Sequence, residues 1–185
     1  LETFTFEVRG IDTDGNVTFD DDGSELRAVV SVTVFDPALI VDLEVEDASI
    51  ATLDEGVEIV TEGHDHYLGA ASGNQHTSDL VPGAGVNFNF NMDEGGFYSV
   101  VLHYGVGSGY GSKVGQVTVN GVPNELTLTS EGAIGSLRVG TFSLTSGVNV
   151  IEVCCGWNYF RVDKLQLLPA AAPAKPLAVN PTPVN

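Results

Sequence analysis

The sequence predicts an all-β fold. No helical periodicity survives a window of about eleven residues anywhere along it, whereas period-two alternation of apolar and polar residues recurs in short runs. Gly, Asn, Asp and Ser fill the gaps between those runs, which is the chemistry of tight turns.

The first two runs, Thr3–Arg9 and Ala28–Val34, alternate around Phe4, Phe6, Val8, Val30 and Val32 and read as one hairpin. It is similar to the closing hairpin of an immunoglobulin-like or fibronectin-like module. Two strands cannot bury a core of their own. Residues 1–36 are therefore expected to be the remnant of a preceding module, docked on another surface, with a second copy of the chain (a dimer) among the options. Between the runs, Asp12-Thr13-Asp14-Gly15-Asn16 resembles the start of an EF-hand loop, but Gly23 stands where the twelfth-position acid belongs, so a hairpin turn is the better reading. Pro37 enforces an extended entry, making residues 37–42 a joint.

Regular alternation follows at Ile40–Glu46, Gly85–Asn91, Gly96–Tyr104, Gly115–Val119, Asn124–Thr129, Gly135–Leu144, Asn149–Cys154 and Phe160–Leu167. Glu94-Gly95-Gly96, Asn120-Gly121 and Ser146-Gly147-Val148-Asn149 supply turns between them. A chain of 185 residues buries one full-sized core, and residues 43–168 are assigned to it. Residues 169–185 are rich in Pro and Ala, a semi-rigid linker expected to lead to a catalytic domain. With no basic and apolar leader and no long apolar run, the chain reads as a soluble segment of a larger, secreted polypeptide.

Against 25 Asp and Glu stand 7 Lys and Arg, a formal charge of −18. That balance argues against nucleic acid and anionic membrane as partners, since both require clustered cations. Neutral ligands and metal ions remain. The two cysteines, Cys154 and Cys155, are adjacent and cannot staple distant segments. On a strand they point to opposite faces, so one core thiol and one surface thiol are expected, with a strained vicinal disulfide as the alternative.

Three groups of residues could carry chemistry. Glu44 and Glu46 lie two apart on an expected strand, so both carboxylates leave one face, and two like charges side by side call for a cation such as Ca²⁺. Asp163 on the last strand supplies a third carboxylate if the first and last strands of the domain pair. The second group is aromatic. Trp157, between Gly156 and Asn158, and Tyr110, in Gly105-Val106-Gly107-Ser108-Gly109-Tyr110-Gly111-Ser112, are expected to be exposed plates for the apolar face of a pyranose ring. Asn158, Lys113 and Asn120 could hydrogen-bond its hydroxyls, although Asn120 reads equally well as a turn residue. The third group, His64, His66 and His76, lacks a further ligand at fixed spacing and is read as a polar loop rather than a zinc site. The glycines of 105–111 precede no helix and lack the GK[ST] ending of a phosphate cradle.

An ordered series of motifs then points to a family. Glu44-Val45-Glu46-Asp47-Ala48 resembles the "EAEDA" opening of carbohydrate-binding module families 6 and 35, and Gly69 falls in a glycine stretch after the first loop. Gly96–Tyr104 resembles the "G-Y-x-x-x-x-R-Y" strand, Val119-Asn120-Gly121 the "V-N-G" turn, Leu144–Ile151 the "L-x-x-G-x-N-x-I" segment and Val162-Asp163-Lys164-Leu165 the "I-D-Y-I" strand. His103 replaces the usual arginine and Lys164 the usual aromatic. The resemblance implies a β-jelly roll of two antiparallel sheets and a structural Ca²⁺ held by Glu44, Glu46 and Asp163. Gly156–Phe160 resembles the mannan-binding branch of family 35, modules attached to family 26 β-mannanases. The expected function is non-catalytic binding of a neutral β-linked polysaccharide, mannan or glucomannan, for an attached glycoside hydrolase. The alternatives are a Ca²⁺-dependent adhesive module and a small polysaccharide-degrading enzyme. The enzyme reading is disfavoured because hydrolysis needs two carboxylates across a cleft and the paired acids here look committed to metal.

Overall fold

A computed structural model describes residues 39–61, 71–129, 132–154 and 159–173, together with the backbone of 2–9 and 27–34. The chain forms two compact units, Leu1–Leu39 and Ile40–Asn185. The first contains β1 (Glu2–Arg9) and β2 (Arg27–Val34), an antiparallel pair in the register Phe4↔Val32 and Phe6↔Val30. Residues 10–26, with the expected Asp14-Gly15-Asn16 turn, residues 35–38, with the start of the expected 37–42 joint, and residues 174–185 of the expected 169–185 linker lie outside the described residues.

The second unit is an antiparallel β-sandwich. Its strands are β3 (Val41–Glu44), β4 (Ala51–Leu53), β5 (Ile59–Thr61), β6 (Gln75–Thr77), β7 (Val86–Met92), β8 (Gly96–Gly105), β9 (Lys113–Val119), β10 (Val122–Leu128), β11 (Gly135–Leu144), β12 (Gly147–Cys154) and β13 (Arg161–Pro169). One sheet has the order β10-β9-β12-β7-β4, the other β11-β8-β13-β3, and β5 pairs with β6 in a small flap. β3 pairs with β13, Val41 opposite Leu167 and Glu44 opposite Lys164, so the first and last strands of the sandwich are neighbours.

Alternation explains the layers. In β7 Val86, Phe88, Phe90 and Met92 turn inward while Asn89 and Asn91 face water, and β9 does the same with Val117 and Val119. Val100, Leu102, Tyr104, Leu165 and Leu167 close the core from the other sheet. Replacing the fully buried Phe88 by Ala would leave a cavity costing about 3–5 kcal/mol.

Three expectations are corrected. β4, β5 and β6 are three residues each, too short to show a period, and were not anticipated. β3 ends at Glu44, and Asp47 N–H donates to Glu44 O at 3.3 Å, so Glu46 sits in the following turn rather than on a strand face shared with Glu44. Cys154, buried at the end of β12, is disulfide-bonded rather than a free thiol, and Cys155, outside the described residues, is the only other cysteine in the chain.

Candidate functional site

Two clusters lie at the edges of the sandwich. The acidic one is assembled by a bulge. Val162 faces Tyr104 and Lys164 faces His103 across β13 and β8, which leaves Asp163 as the extra residue. A bulge re-aims a side chain. Asp163, 2% exposed, accepts the backbone N–H of Ser72 at 2.8 Å, and its carbonyl accepts Val45 N–H at 3.3 Å.

Ser72 starts a short 3₁₀ turn (Ser72–Asn74) that straps the acids together: its hydroxyl donates to Glu44 Oε1 at 2.7 Å. Gly73 has φ +57°, and a Cβ there would collide with Glu46 Oε1, so the close approach requires glycine. Lys164 Nζ stands 3.4 Å from Glu44 Oε1, Asp42 Oδ1 and Ser72 Oγ. Burial pushes Asp163 up to about 7, opposed by the Ser72 N–H and reinforced by the Glu44 and Glu46 charges. Burial likewise raises Glu46. On β8, burial and then Lys164 lower the pKa of His103, whose Nε2 is buried without a partner.

The donor chemistry fits a hard cation. All three predicted ligands are carboxylates, and Glu44 Oε2 and Glu46 Oε2 are buried with no hydrogen-bond partner, acceptors that a metal would satisfy. Among the described residues no three His, Cys, Asp or Glu side chains are drawn together closely enough to hold a metal ion. His76 is buried, its Nδ1 2.7 Å from Thr77 O, while His64 and His66 lie outside the described residues.

The second cluster is an aromatic cleft of about 200 Å³ lined by Asp79, Gly107, Tyr110 and Tyr159. Tyr110 is 54% and Tyr159 44% exposed, large apolar surfaces left open to solvent. Tyr110 sits at the tip of the 105–112 loop between Gly109 (φ +82°) and Gly111 (φ +68°), a backbone only glycines accept readily. Tyr159 itself has φ +77°, held there by its N–H donating to Leu80 O at 2.7 Å while Leu80 N–H donates to Phe160 O at 2.8 Å. Strain of this kind concentrates at functional sites. Arg161 Nε donates to Asp79 Oδ1 at 3.0 Å and fixes that wall.

Of the residues expected to touch ligand, the structure brings Tyr110 and Lys113 together: Lys113 Nζ lies 5.8 Å from the Tyr110 ring centroid and 5.9 Å from that of Tyr159. Trp157 and Asn158 fall outside the described residues, immediately before Tyr159. Asn120 is elsewhere, at the far end of β9 from Lys113, where its Nδ2 donates to Asn149 Oδ1 at 2.9 Å and its Oδ1 accepts Val150 N–H at 2.9 Å. Both polar ends of Asn120 are thus spent on joining two hairpins. Sequence reasoning omitted Tyr159, Asp79 and Arg161. Tyr159 was visible in the aromatic run before the last strand, whereas the Asp79–Arg161 pair spans 82 residues and has no local signal.

A two-sheet jelly roll with an aromatic cleft at a loop edge has the shape and chemistry to take a sugar ring. Residues 41–170 match the profile of the carbohydrate binding module (family 35), and the chain belongs to that family. Modules of this family are non-catalytic, so the chain binds carbohydrate and is not an enzyme. No curated protein sequence matches it. Among solved structures, the Podospora anserina GH26-CBM35 β-(1,4)-mannanase superposes with a TM-score of 0.60 at 23% identity, over 77% of this chain and 30% of that one. An exo-β-1,3-galactanase from Phanerochaete chrysosporium gives 0.59 at 20% identity, over 82% and 36%. The family 35 carbohydrate binding module from Clostridium thermocellum gives 0.57 at 19% identity, over 69% and 97%. At these identities the likeness is one of fold. The chain spans about a third of each enzyme and nearly all of the isolated module.

Proposed function

We propose that this module binds a neutral β-linked polysaccharide, mannan or glucomannan, and holds an attached glycoside hydrolase against it. The observation that carries this reading is the pair of half-exposed tyrosines, Tyr110 and Tyr159, across a cleft with one fixed carboxylate, Asp79. Stacked rings recognise the C–H face of a pyranose, and a carboxylate accepts its hydroxyls. Trp157, two residues before Tyr159, would add a third plate, and Asn158 a further hydroxyl partner. Tethering raises the effective concentration of a linked enzyme at insoluble substrate. The mannanase likeness and the aromatic run favour mannan; the galactanase likeness makes β-1,3-galactan the comparison.

The same reading includes a structural Ca²⁺ held by Glu44, Glu46 and Asp163, supported by the two orphaned carboxylate oxygens. Bound there, the ion would add positive charge beside three carboxylates whose present cation is Lys164. A secreted setting is supported by the disulfide at Cys154, a bond that persists in oxidising compartments.

Pull-down of the chain on insoluble mannan, xylan, cellulose and β-1,3-galactan tests the assignment. Retention on mannan with release by soluble mannohexaose is the expected result. Retention on galactan alone would replace the glycan, and retention on none would remove the binding role of this cleft.

A further inference from the structure

Beside the two rings of the aromatic cleft, though not on its lining, lies a lysine whose surroundings do not suit an ordinary surface cation. Lys113 opens β9 and is only 8% exposed. In a chain with 25 acids, no described carboxylate forms an ion pair with it. Drawing an ammonium partly out of water without an anion is costly unless something else compensates. Two ring faces are what it has, with centroids 5.8 and 5.9 Å away, both within the reach of a cation–π contact.

Those rings belong to separate parts of the chain. Tyr159 is anchored by its backbone bond to Leu80. Tyr110 lies on a loop tip, where its N–H donates to Gly107 O at 3.2 Å and the positions at which Gly109 and Gly111 would carry a Cβ have nothing within 4 Å. Lys113, three residues on and rooted in a strand, gives that ring a contact with a fixed point of the sheet.

We propose that Lys113 is a positioning residue of the cleft: its ammonium, shared between the faces of Tyr110 and Tyr159, fixes the separation of the two rings and so the width of the slot that receives a sugar. This rests on the reading of the cleft as the glycan site, and it changes the role of Lys113 from a hydroxyl donor to the ligand into a spacer between its two plates. A preorganised pair of plates binds without first ordering the loop, and losing the spacer weakens binding while leaving the core intact.

Two measurements on the full chain decide the matter. In a ¹H–¹³C NMR spectrum the Lys113 Hε resonances are expected to be displaced upfield by the ring currents, and Tyr110→Leu is expected to return them most of the way to ordinary lysine positions. In calorimetric titration with mannohexaose, Lys113→Met, close in length but uncharged, is expected to bind about tenfold more weakly with little change in Tm, and Lys113→Arg to recover affinity to within about threefold. Hε resonances at ordinary positions, or a folded Lys113→Met variant that binds as tightly as the parent, would overturn the proposal. Should the parent bind no mannohexaose while the upfield shift is present and depends on Tyr110, the spacer stands and only the glycan assignment falls.

Discussion

The backbone N–H of Ser72 donates to Asp163 Oδ1 at 2.8 Å, joining residues 91 positions apart and placing a buried carboxylate under a turn that also binds Glu44. The strength of that clasp depends on the charge of Asp163, and the charge depends on pH and on metal.

The folded state holds the Asp163 proton more tightly than the unfolded chain, with a pKa of about 7 against an ordinary 3.8. Between those values the native protein binds more protons, so stability contributed by this group is present below about pH 4 and is lost as pH rises toward 7. In EDTA, thermal stability is therefore expected to fall over that range by more in the parent than in Asp163→Asn. Ca²⁺ is expected to flatten the decline and to raise Tm at pH 7 by mass action, since it favours the ionised carboxylate. Identical pH profiles for parent and variant, with and without Ca²⁺, would remove the acidic cluster from any such role.

Gly73→Ala is a sharper probe of the strap. It adds a methyl group where Glu46 lies and forces a left-handed backbone on alanine, a combined cost of about 1–3 kcal/mol. The expected outcome is a lowered denaturant midpoint and weaker Ca²⁺ binding, with glycan affinity measured at saturating Ca²⁺ unchanged.

On the proposed reading, Tyr110→Ala at the cleft and Trp157→Ala in the aromatic run are each expected to cost about 1–3 kcal/mol of mannohexaose affinity, the usual contribution of a stacked ring. Tyr110→Ala should leave Tm unchanged because that ring is largely exposed. Trp157 is the only tryptophan, so its fluorescence reports directly: mannohexaose should shift or quench it and polygalacturonate should not. Full binding by a folded Trp157→Ala variant would take that residue out of the site.

Asn149 predicts the reverse pattern. Only 1% exposed, its amide accepts from Asn120 Nδ2 and Thr145 N–H and donates to the carbonyls of Thr145 and Gly147. Asn149→Ala leaves several buried groups unpaired and is expected to destabilise by about 2–4 kcal/mol, with Asn120→Ala costing about 1–2 kcal/mol. Both variants are expected to keep glycan affinity when folded; a loss of binding in folded Asn120→Ala would return that residue to the ligand site.

Removing residues 1–39 is expected to leave a cooperative, ligand-competent sandwich, since the unit that starts at Ile40 is compact by itself. An unfolded or non-binding product would show that the hairpin completes the domain.

The long strands were legible because burial imposes a period, as in Val86-Asn87-Phe88-Asn89-Phe90. The exposure of Tyr110 was legible for a different reason: the glycines around it offer little apolar surface to bury a ring. What sequence could not supply is held by long-range geometry. The bulge that turns Asp163 toward Ser72 depends on the match of β13 to β8, and a motif match named Asp163 without explaining its aim. Asn120 read equally well as a ligand residue and as a turn residue, and its bond to Asn149, 29 positions away, had no local signal. Ser72 had no signal at all, because a serine in a loop carries none until two acids fold against it.

The pairing of Val41 with Leu167 gives the sandwich a polarity. Chain enters and leaves it side by side, while Arg161, at the other end of β13, faces Gly105 beside the cleft. A nine-residue strand, about 30 Å, separates the two poles. The sandwich is therefore entered and left at the pole opposite the aromatic cleft, and the pole that carries Tyr110 and Tyr159 is free of both connections.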